Sequence, residues 1–294
     1  MSSVATHTFG DSRYIRTADG RRLHYMEKGE GDVTVVFESG MGFSRSTWGL
    51  VQPLVASHAR AVVYDRAGTG RSEPDPESRT LERIADDLNG LLTELGPGPF
   101  ILVGHSWGGP IVRTAAALDP TRIRGLVLVD PSDEHCELYF AEASLKHFAR
   151  MNKLIPLLAR LGLYRLMGSV PGRVQPPDVY SDHRREDFTV QAAKAMVAEG
   201  LPFVAELQAL RDRAIPLGET EVALISGTHV SRMERKIRPA LHEAHRKTVA
   251  ALPAGRLIEA TRSGHMINYS EPGLIADEIK RMIDSYMHSS ILAT

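Results

Sequence analysis

Short apolar runs alternate with helical patterns along the chain. Continuous apolar runs are typical of strands that are covered on both faces of a parallel sheet. Runs of this character predict strands at residues 33–37, 61–64, 101–103, 126–129, 221–225 and 256–258, and a rough alternation after the turn at Asp19-Gly20 predicts one at residues 22–28. The apolar positions of residues 81–95 fall on one helical face, and Gly96-Pro97 ends that helix. A final amphipathic helix is predicted over residues 271–287, with a frayed tail over 288–294.

The alternation of strands and helices predicts an α/β fold with a mostly parallel central sheet flanked by helices. It stops after Pro131. Residues 135–215 carry helical patterns without a clear strand, and prolines at 156, 171, 176, 177 and 202 are expected to interrupt them. The chain is therefore expected to form an α/β core from residues 1–134 and 216–294, with residues 135–215 inserted as a helical cap or lid.

Composition narrows the range of functions. The 294 residues are 43% hydrophobic, which is enough to bury a large core, and the formal net charge of −1 does not indicate a nucleic acid or a membrane surface as partner. The single cysteine, Cys136, allows no intrachain disulfide, and no signal peptide or membrane-spanning stretch is recognisable. We expect a cytoplasmic protein that binds neither nucleic acid nor membrane. Its oligomeric state stays open.

One short motif, at residues 104–108, indicates a catalytic nucleophile. Gly104-His105-Ser106-Trp107-Gly108 follows the predicted strand at 101–103 and precedes a helical pattern at 111–118. In this G-x-S-x-G turn, a side chain two positions before or after the serine would collide with the neighbouring turn, so glycine is required there. The turn lifts the serine hydroxyl clear of the sheet and directs the next helix N-terminus at it. Ser106 is therefore the candidate nucleophile, and it needs a base to take its proton.

With this motif the chain resembles the α/β-hydrolase superfamily from about Tyr14 to Met287. Ser39-Gly40-Met41-Gly42 occupies the place where the family usually has His-Gly-x-x. Asp65-Arg66-Ala67-Gly68-Thr69-Gly70-Arg71-Ser72 is similar to the D-x-x-G-x-G-x-S turn of the family. Ser263-Gly264-His265-Met266 follows the last strand, where the family places its catalytic histidine. The resemblance implies an α/β-hydrolase fold with an inserted cap and His265 as the base.

The residue that serves as the acid of the implied Ser-His-Asp triad is harder to identify from the sequence. The family most often carries it after the strand that follows the insertion, but no Asp or Glu follows the run at 221–225 until Glu234. A known alternative places it after the preceding strand, which here ends at Asp130, and we predict Asp130 within roughly 2.6–3.2 Å of His265 Nδ1. Asp133, Glu134 and Glu234 are the remaining alternatives.

The oxyanion hole is expected to consist of the backbone amides of Met41 and Trp107, whose side chains are then free to line the substrate pocket. His105, beside the nucleophile, is interpreted as structural. Apolar side chains of the cap indicate a hydrophobic substrate. They are Phe140, Phe148, Leu154, Leu157, Leu158, Met167 and Phe203.

These observations predict a serine hydrolase that cleaves a carboxylic ester or lactone of a hydrophobic small molecule and needs no cofactor or metal. The same triad also serves thioester, amide and β-diketone hydrolases and perhydrolases, and a weakly catalytic ligand receptor can keep these motifs. Haloalkane dehalogenases and epoxide hydrolases of this fold use Asp at the elbow, so Ser106 argues against both. The oxyanion loop of proline iminopeptidases, G-G-x-P-G, is absent.

Three further patterns are expected to have structural rather than catalytic or metal-binding roles. His242-Glu243-Ala244-His245 is one residue short of the zinc motif H-E-x-x-H and is expected to form a solvated helix face. The charged run at 232–238 is expected on the surface. Asp65 is expected to hold the amides of its own loop rather than to act in catalysis.

Overall fold

The computed structural model describes residues 6–232 and 234–292, without the side chains at positions 167 and 289–292. The strands are β1 (Asp11–Arg16), β2 (Arg22–Lys28), β3 (Thr34–Glu38), β4 (Arg60–Tyr64), β5 (Phe100–His105), β6 (Ile123–Val129), β7 (Glu221–Gly227) and β8 (Gly255–Ala260). The helices are α1 (Gln52–Val55), α2 (Leu81–Leu95), α3 (Gly108–Leu118), α4 (Glu142–Arg160), α5 (Leu163–Gly168), α6 (Pro177–Glu186), α7 (Val190–Gly200), α8 (Phe203–Asp212), α9 (Ile237–Ala250), α10 (Ile267–Ser270) and α11 (Pro272–Leu292).

The eight strands form one sheet in the order β1-β2-β4-β3-β5-β6-β7-β8. β1 and β2 pair antiparallel, as do β2 and β4, and all later pairs are parallel. The predicted α/β class with a mostly parallel sheet is confirmed. Since the parallel strands run in one direction, the segments that follow β3, β5, β6, β7 and β8 all begin at the same edge of the sheet, where α/β proteins place their sites.

Both faces of the sheet are covered, which explains the uninterrupted apolar runs. α2 and α3 pack on one face, together with part of α8. α1 and α11 pack on the other. The prediction for α2 is confirmed at both ends: Thr80 accepts a hydrogen bond from the Arg83 amide at the N-terminus, and Gly96, with φ +125°, ends the helix.

The seven predicted strands are present with bounds shifted by a few residues, whereas β1 has no counterpart in the prediction. Its burial explains this, because only Ile15 is buried and the other positions of this edge strand are exposed. A strand with one buried side chain has no apolar alternation to recognise.

Helices α4 to α8 occupy the segment between β6 and β7, and the bounds 135–215 stay a prediction for the cap. The expectation that Pro156 interrupts a helix was wrong. Pro156 lies inside α4, where it costs the hydrogen bond to the carbonyl of Asn152. Ile155 and Ala159 are buried on either side of it against α7, and this packing holds the helix together.

The expectation of a frayed tail over 288–294 was also wrong as far as Leu292, because α11 continues to that residue. Tyr286 and Met287 still pack against the core beneath the sheet, and this contact supports the last turns. Residues 293 and 294 lie outside the described residues. None of the described helices is long and apolar enough to cross a membrane.

Candidate active site

Ser106 lies in a turn that glycine makes possible. Its φ is +54°, a left-handed conformation that strains a residue with a side chain. A Cβ on Gly104 would lie 2.4 Å from the carbonyl oxygen of Gly108, and a Cβ on Gly108 would lie 2.6 Å from that of Glu38. The two glycines therefore let β5 turn into α3 within a few residues. The predicted geometry of the G-x-S-x-G turn is present.

His265 and Asp130 meet beside this turn. His265 Nδ1 lies 2.7 Å from Asp130 Oδ2, within the predicted range, although the two residues are far apart in the sequence. Among the described residues, Asp130 (φ +42°) and Ser106 are the only non-glycine residues with positive φ. The strained backbone turns the carboxylate at the end of β6 toward the loop that follows β8.

Asp130 is completely buried and is surrounded by donors. Arg238 Nη1 donates to both carboxylate oxygens, at 2.6 and 2.8 Å, and the amide of Gly227 donates to Oδ1 at 3.0 Å. Burial raises the pKa of the Asp130 carboxyl, but the hydrogen bond and charge of His265, with the charge of the Arg238 guanidinium, together hold it below its usual range. Asp130 is therefore an anion when His265 takes up a proton.

The alternative acids are engaged elsewhere. Asp133 accepts hydrogen bonds from Thr248 Oγ1 at 2.6 Å and from the His135 amide at 2.8 Å. Glu134 forms a bidentate pair with Arg113, and Glu234 accepts from Ser231 Oγ. In the part of the chain that the structure describes, none of these three carboxylates is hydrogen-bonded to His265.

His105 holds the loop that carries His265. Its Nε2 lies 3.0 Å from the carbonyl oxygen of His265, and the two rings lie 4.8 Å apart between centroids. Burial lowers the pKa of His105 to about 3, so the ring is neutral and donates its Nε2 proton to that carbonyl. This contact agrees with the interpretation of His105 as structural.

The tautomer of His265 follows from its partner. An ionised carboxylate only accepts hydrogen bonds, so Nδ1 carries the proton and Nε2 keeps a free lone pair. The side chain of His265 is 38% exposed, so water can reach it. His265 can therefore act as a base and later exchange its proton with solvent.

Two backbone amides are available as oxyanion donors. Gly40 packs directly on the nucleophile, since a Cβ there would lie 3.3 Å from Cβ of Ser106. The next amide is that of Met41, and the amide of Trp107 follows Ser106 itself. Within the described residues, neither amide donates a hydrogen bond to another protein group. Both can bind a negative oxygen that forms beside Ser106.

A cavity of about 340 Å³ opens on Ser106 and is partly lined by residues of α4, α7 and α8. Its lining residues are Met41, Ser106, Trp107, Ser132, Tyr139, His147, Phe148, Met151, Asn152, Ile155, Met196, Gly200 and Phe203. Most of these side chains are apolar. The cavity therefore has room for a small molecule with an apolar body.

Only some of the apolar side chains between β6 and β7 line the cavity. Phe148 and Phe203 line the cavity, as expected of the cap. Leu154 and Leu157 are exposed instead, because they lie on the outer side of α4. Phe140 packs at the edge of the core with the Arg211 guanidinium over its ring, and the side chain of Met167 lies outside the described residues. Of these residues, only Phe148 and Phe203 line the cavity, so only they can bear on the expectation of a hydrophobic substrate, which stays a prediction.

Two polar residues that the sequence analysis placed at the surface, Arg238 and His245, lie inside the molecule. The interpretation of residues 232–238 as surface was wrong for Arg238, which is buried against Asp130, while Met233 lies outside the described residues. The solvated helix face was wrong for His245, which contacts Ser226 and the Pro131 carbonyl. Both face inward because α9 packs on β7 and β8, and a charged run does not reveal which side of a helix the sheet covers.

Asp65 is a loop anchor, as expected. It accepts hydrogen bonds from the amides of Arg45 and Arg71, and also from the Arg45 guanidinium and His24. The described residues contain no group of three His, Cys, Asp or Glu side chains arranged to hold a metal ion.

Comparisons with known proteins place this architecture in context. The profile of a family described as "Alpha/beta hydrolase family" matches residues 35–278. A relative, the uncharacterized protein YqjL of Bacillus subtilis (strain 168), is 26% identical over 265 residues, which cover 88% of this chain and 87% of the relative.

Two solved structures show the same fold. An esterase from Thermogutta terrifontis superposes with a TM-score of 0.70 at 21% identity, over 94% of this chain and 99% of the other. A putative epoxide hydrolase from Pseudomonas aeruginosa superposes with a TM-score of 0.73 at 17% identity, over 95% and 96% of the two chains. The same fold thus occurs in an esterase and in a putative epoxide hydrolase, so the chemistry of this chain has to be argued from its site.

Proposed function

Because the chain belongs to the alpha/beta hydrolase family, we propose that it is a serine hydrolase that cleaves a carboxylic ester or lactone of a hydrophobic small molecule. One observation carries the proposal: Ser106 lies in a strained turn, and His265, whose ring lies 4.8 Å from that of the neighbouring His105, is hydrogen-bonded to the buried carboxylate of Asp130. This is the arrangement of nucleophile, base and orienting acid that acyl transfer needs.

In the proposed reaction Ser106 Oγ attacks the ester carbonyl while Nε2 of His265 takes its proton. The imidazolium that forms is stabilised by Asp130, and the oxygen that becomes negative is held by the amides of Met41 and Trp107. When the tetrahedral intermediate collapses, His265 donates the proton to the leaving alcohol. Water then attacks the acyl-enzyme with His265 as base, and the acid and free Ser106 are released.

The cavity supports the hydrophobic part of the proposal. Phe148, Phe203 and Trp107 contribute aromatic surface, and Met41 and Met196 contribute flexible thioethers that adapt to different shapes. A volume of about 340 Å³ lies at the small end of the range for ligand sites, which favours a compact substrate. The reducing cytoplasm remains the proposed compartment, since Cys136 is buried as a free thiol.

Labelling and turnover test this function together. We expect a fluorophosphonate probe to label Ser106, and p-nitrophenyl esters or lactones to be hydrolysed with a preference for short to medium chains. Ser106→Ala is the matched control and should abolish labelling and reduce turnover by several orders of magnitude. An intact protein whose Ser106 stays unlabelled would point to a ligand receptor. Labelling without ester or lactone turnover, but with hydrolysis of a thioester, amide or β-diketone, would replace the substrate class.

A further inference from the structure

A buried arginine lies behind the oxyanion loop, which we define as residues 39–42. Arg66 is 2% exposed and belongs to the loop that follows β4. It is surrounded by two carboxylates that are equally buried, Glu38 at the end of β3 and Glu199 in α7 of the cap. Neither the proposed chemistry nor the sequence motifs assign a role to this cluster.

All five donors of the Arg66 guanidinium are used. Nε and Nη2 donate to the two oxygens of Glu199 at 2.8 and 2.9 Å, and Nη1 donates to Glu38. The two remaining donors bind backbone carbonyls: Nη1 reaches the Ser39 carbonyl at 2.6 Å, and Nη2 reaches that of Gly40 at 2.7 Å. An arginine that served only to form ion pairs would not need to donate hydrogen bonds to two successive backbone carbonyls of one loop.

The Gly40 carbonyl belongs to the same peptide unit as the Met41 amide. In a trans peptide the C=O and N–H bonds point in opposite directions. By holding the Gly40 oxygen from behind, Arg66 makes the Met41 N–H point away from the guanidinium. Hydrogen bonding of a cation to the carbonyl also polarises the peptide, which makes its N–H a stronger donor. The Phe43 amide donates to the same oxygen at 3.2 Å and completes this anchor.

The cap takes part in the same arrangement. Glu199 lies one position before Gly200, which lines the cavity, and Met196 of the same helix covers the oxyanion loop. A Cβ on Gly42 would lie only 2.7 Å from Met196, so α7 and the loop are in close contact. Glu199 therefore links the position of a cap helix to the guanidinium that orients the loop.

We propose that Arg66 is a positioning residue for the oxyanion hole, and that Glu199 makes this positioning depend on the seating of the cap. Arg66 does not touch the substrate; it acts by fixing the Gly40–Met41 peptide plane. The inference rests on the proposed function, because it concerns the amide that would bind the negative oxygen. When the cap is displaced, Glu199 leaves and the peptide plane is released.

The test compares three variants that keep the size and polarity of the buried groups. Arg66→Lys keeps the positive charge, but its single nitrogen cannot hold both carbonyls and both carboxylates. Glu199→Gln keeps the shape of the cap contact and loses one acceptor for Nη2. The matched control is Arg113→Lys: Arg113 is also buried in a bidentate pair with a glutamate, and among the described residues its guanidinium is hydrogen-bonded only to Glu134.

Two readouts are measured on folded protein, as judged by circular dichroism and a cooperative melt. The first is kcat and KM for the best ester. The second is the affinity for a trifluoromethyl ketone of matching chain length, compared with the affinity for the product acid. The ketone carbon bonds to Ser106 Oγ, the Oγ proton passes to His265, and the carbonyl oxygen becomes the anion that the Met41 amide would bind. The product acid makes no such adduct.

We expect Arg66→Lys to lower kcat by about 10- to 100-fold with KM little changed, because misplacing a transition-state donor costs rate rather than ground-state binding. Ketone affinity should fall by a similar factor, and product affinity should not. Glu199→Gln should shift both readouts in the same direction by a smaller factor. Arg113→Lys should lower the melting temperature without changing the ratio of ketone to product affinity.

The inference is overturned if folded Arg66→Lys and Glu199→Gln keep kcat and ketone affinity within twofold of the wild type, or if Arg113→Lys shows the same selective loss. If Arg66→Lys does not fold, Glu199→Gln decides alone by the same criterion. If fluorophosphonate does not label the wild-type protein, both the proposed function and the inference are wrong. Labelled wild type with insensitive variants removes only the inference.

Discussion

Asp130 is held in a strained backbone conformation and keeps its negative charge although it is completely buried. Its backbone has positive φ, its side chain is completely buried, and its carboxylate accepts hydrogen bonds from His265, Arg238 and Gly227. An isolated buried carboxylate would be neutral, so the donors are what keep the charge. A residue with a strained backbone conformation persists only where surrounding contacts hold it in place. Such residues are concentrated at functional sites.

At this scale we predict that Asp130→Asn lowers kcat by about 10³- to 10⁴-fold, because an amide cannot accept from His265 and from Arg238 in the same way and favours the wrong tautomer of the base. The measurement is kcat for the best ester on variants with an unchanged circular dichroism spectrum. Asp133→Asn is the control and should keep most activity, since Asp133 is bonded to Thr248 and His135 instead. The opposite pattern, an active Asp130→Asn and an inactive Asp133→Asn, would reassign the acid.

At the scale of elements, the site depends on how closely one strand, one turn and one helix approach each other. β5, the turn at Ser106 and α3 leave no room for side chains at Gly104 or Gly108, and the start of α3 packs on the carbonyls of Glu38 and Ser39. The oxyanion loop and the nucleophile are thus built on the same contact. Because these elements lie so close together, Gly104 and Gly108 cannot be replaced by a residue with a side chain unless the backbone moves.

Two alanine substitutions separate this steric requirement from the general effect of losing a glycine. Gly104→Ala places a Cβ 2.4 Å from the Gly108 oxygen, and we predict a loss of about 1–3 kcal/mol in the free energy of unfolding, or more, together with lost activity. Gly90→Ala, in the middle of α2 with no neighbour within 4 Å, should instead gain roughly 0.5–1 kcal/mol. Urea unfolding of both variants measures the two values. Equal effects of the two would contradict the steric account.

On the scale of the whole molecule, buried charges join helices α6 and α7 to the loops that follow β3 and β4. Arg45 of the core contacts Asp182 and Glu186 of α6, and Arg66 contacts Glu199 of α7. Breaking such a pair by removing one partner leaves a charge without compensation. Helices α6 and α7 are therefore tied to the rest of the molecule by buried ionic groups, while the cavity lies between mostly apolar side chains.

Stability is expected to depend on pH through histidines buried as neutral rings. The folded pKa of His105 is lowered to about 3 from 6.5 by burial, and burial also lowers the pKa of His245. The unfolded chain then binds more protons than the folded chain below pH 6.5, so the stabilisation is complete above that pH and declines as pH falls toward 3. Between pH 7 and pH 5 we predict that His105 accounts for a loss of about 2 kcal/mol in the free energy of unfolding.

The comparison of wild type with His105→Gln by urea unfolding at the two pH values isolates this contribution. The glutamine can still donate to the His265 carbonyl but has no proton to gain, so its loss between pH 7 and pH 5 should be about 2 kcal/mol smaller than that of the wild type. Carboxylates with lowered pKa, such as Asp65 with a pKa of about 2, titrate below this window. Equal losses in the two proteins would mean that His105 is protonated in the folded state.

Local patterns sufficed for much of the fold. Apolar runs predicted most of the strands because a strand covered on both faces shows its burial at every position, and a rough alternation predicted the strand at residues 22–28. Gly104 and Gly108 predicted the turn at Ser106 because their requirement is steric and local. Asp130 and His265 were predicted as neighbours only through their places at strand ends and the resemblance to a known superfamily, since nothing within either segment specifies the other.

Spacing over a few residues was sufficient to predict the order of strands and helices along the chain, the helical segment after β6 and the turn that carries Ser106. Only the folded molecule shows that Arg238 and His245 lie inside, that Asp130 rather than Asp133 contacts His265, and that Glu199 binds the arginine behind the oxyanion loop. Those facts depend on which side of a helix the sheet covers and on contacts between segments more than a hundred residues apart. Charge and polarity along the chain do not encode such contacts, because a buried arginine and an exposed one look the same until their partners are placed beside them.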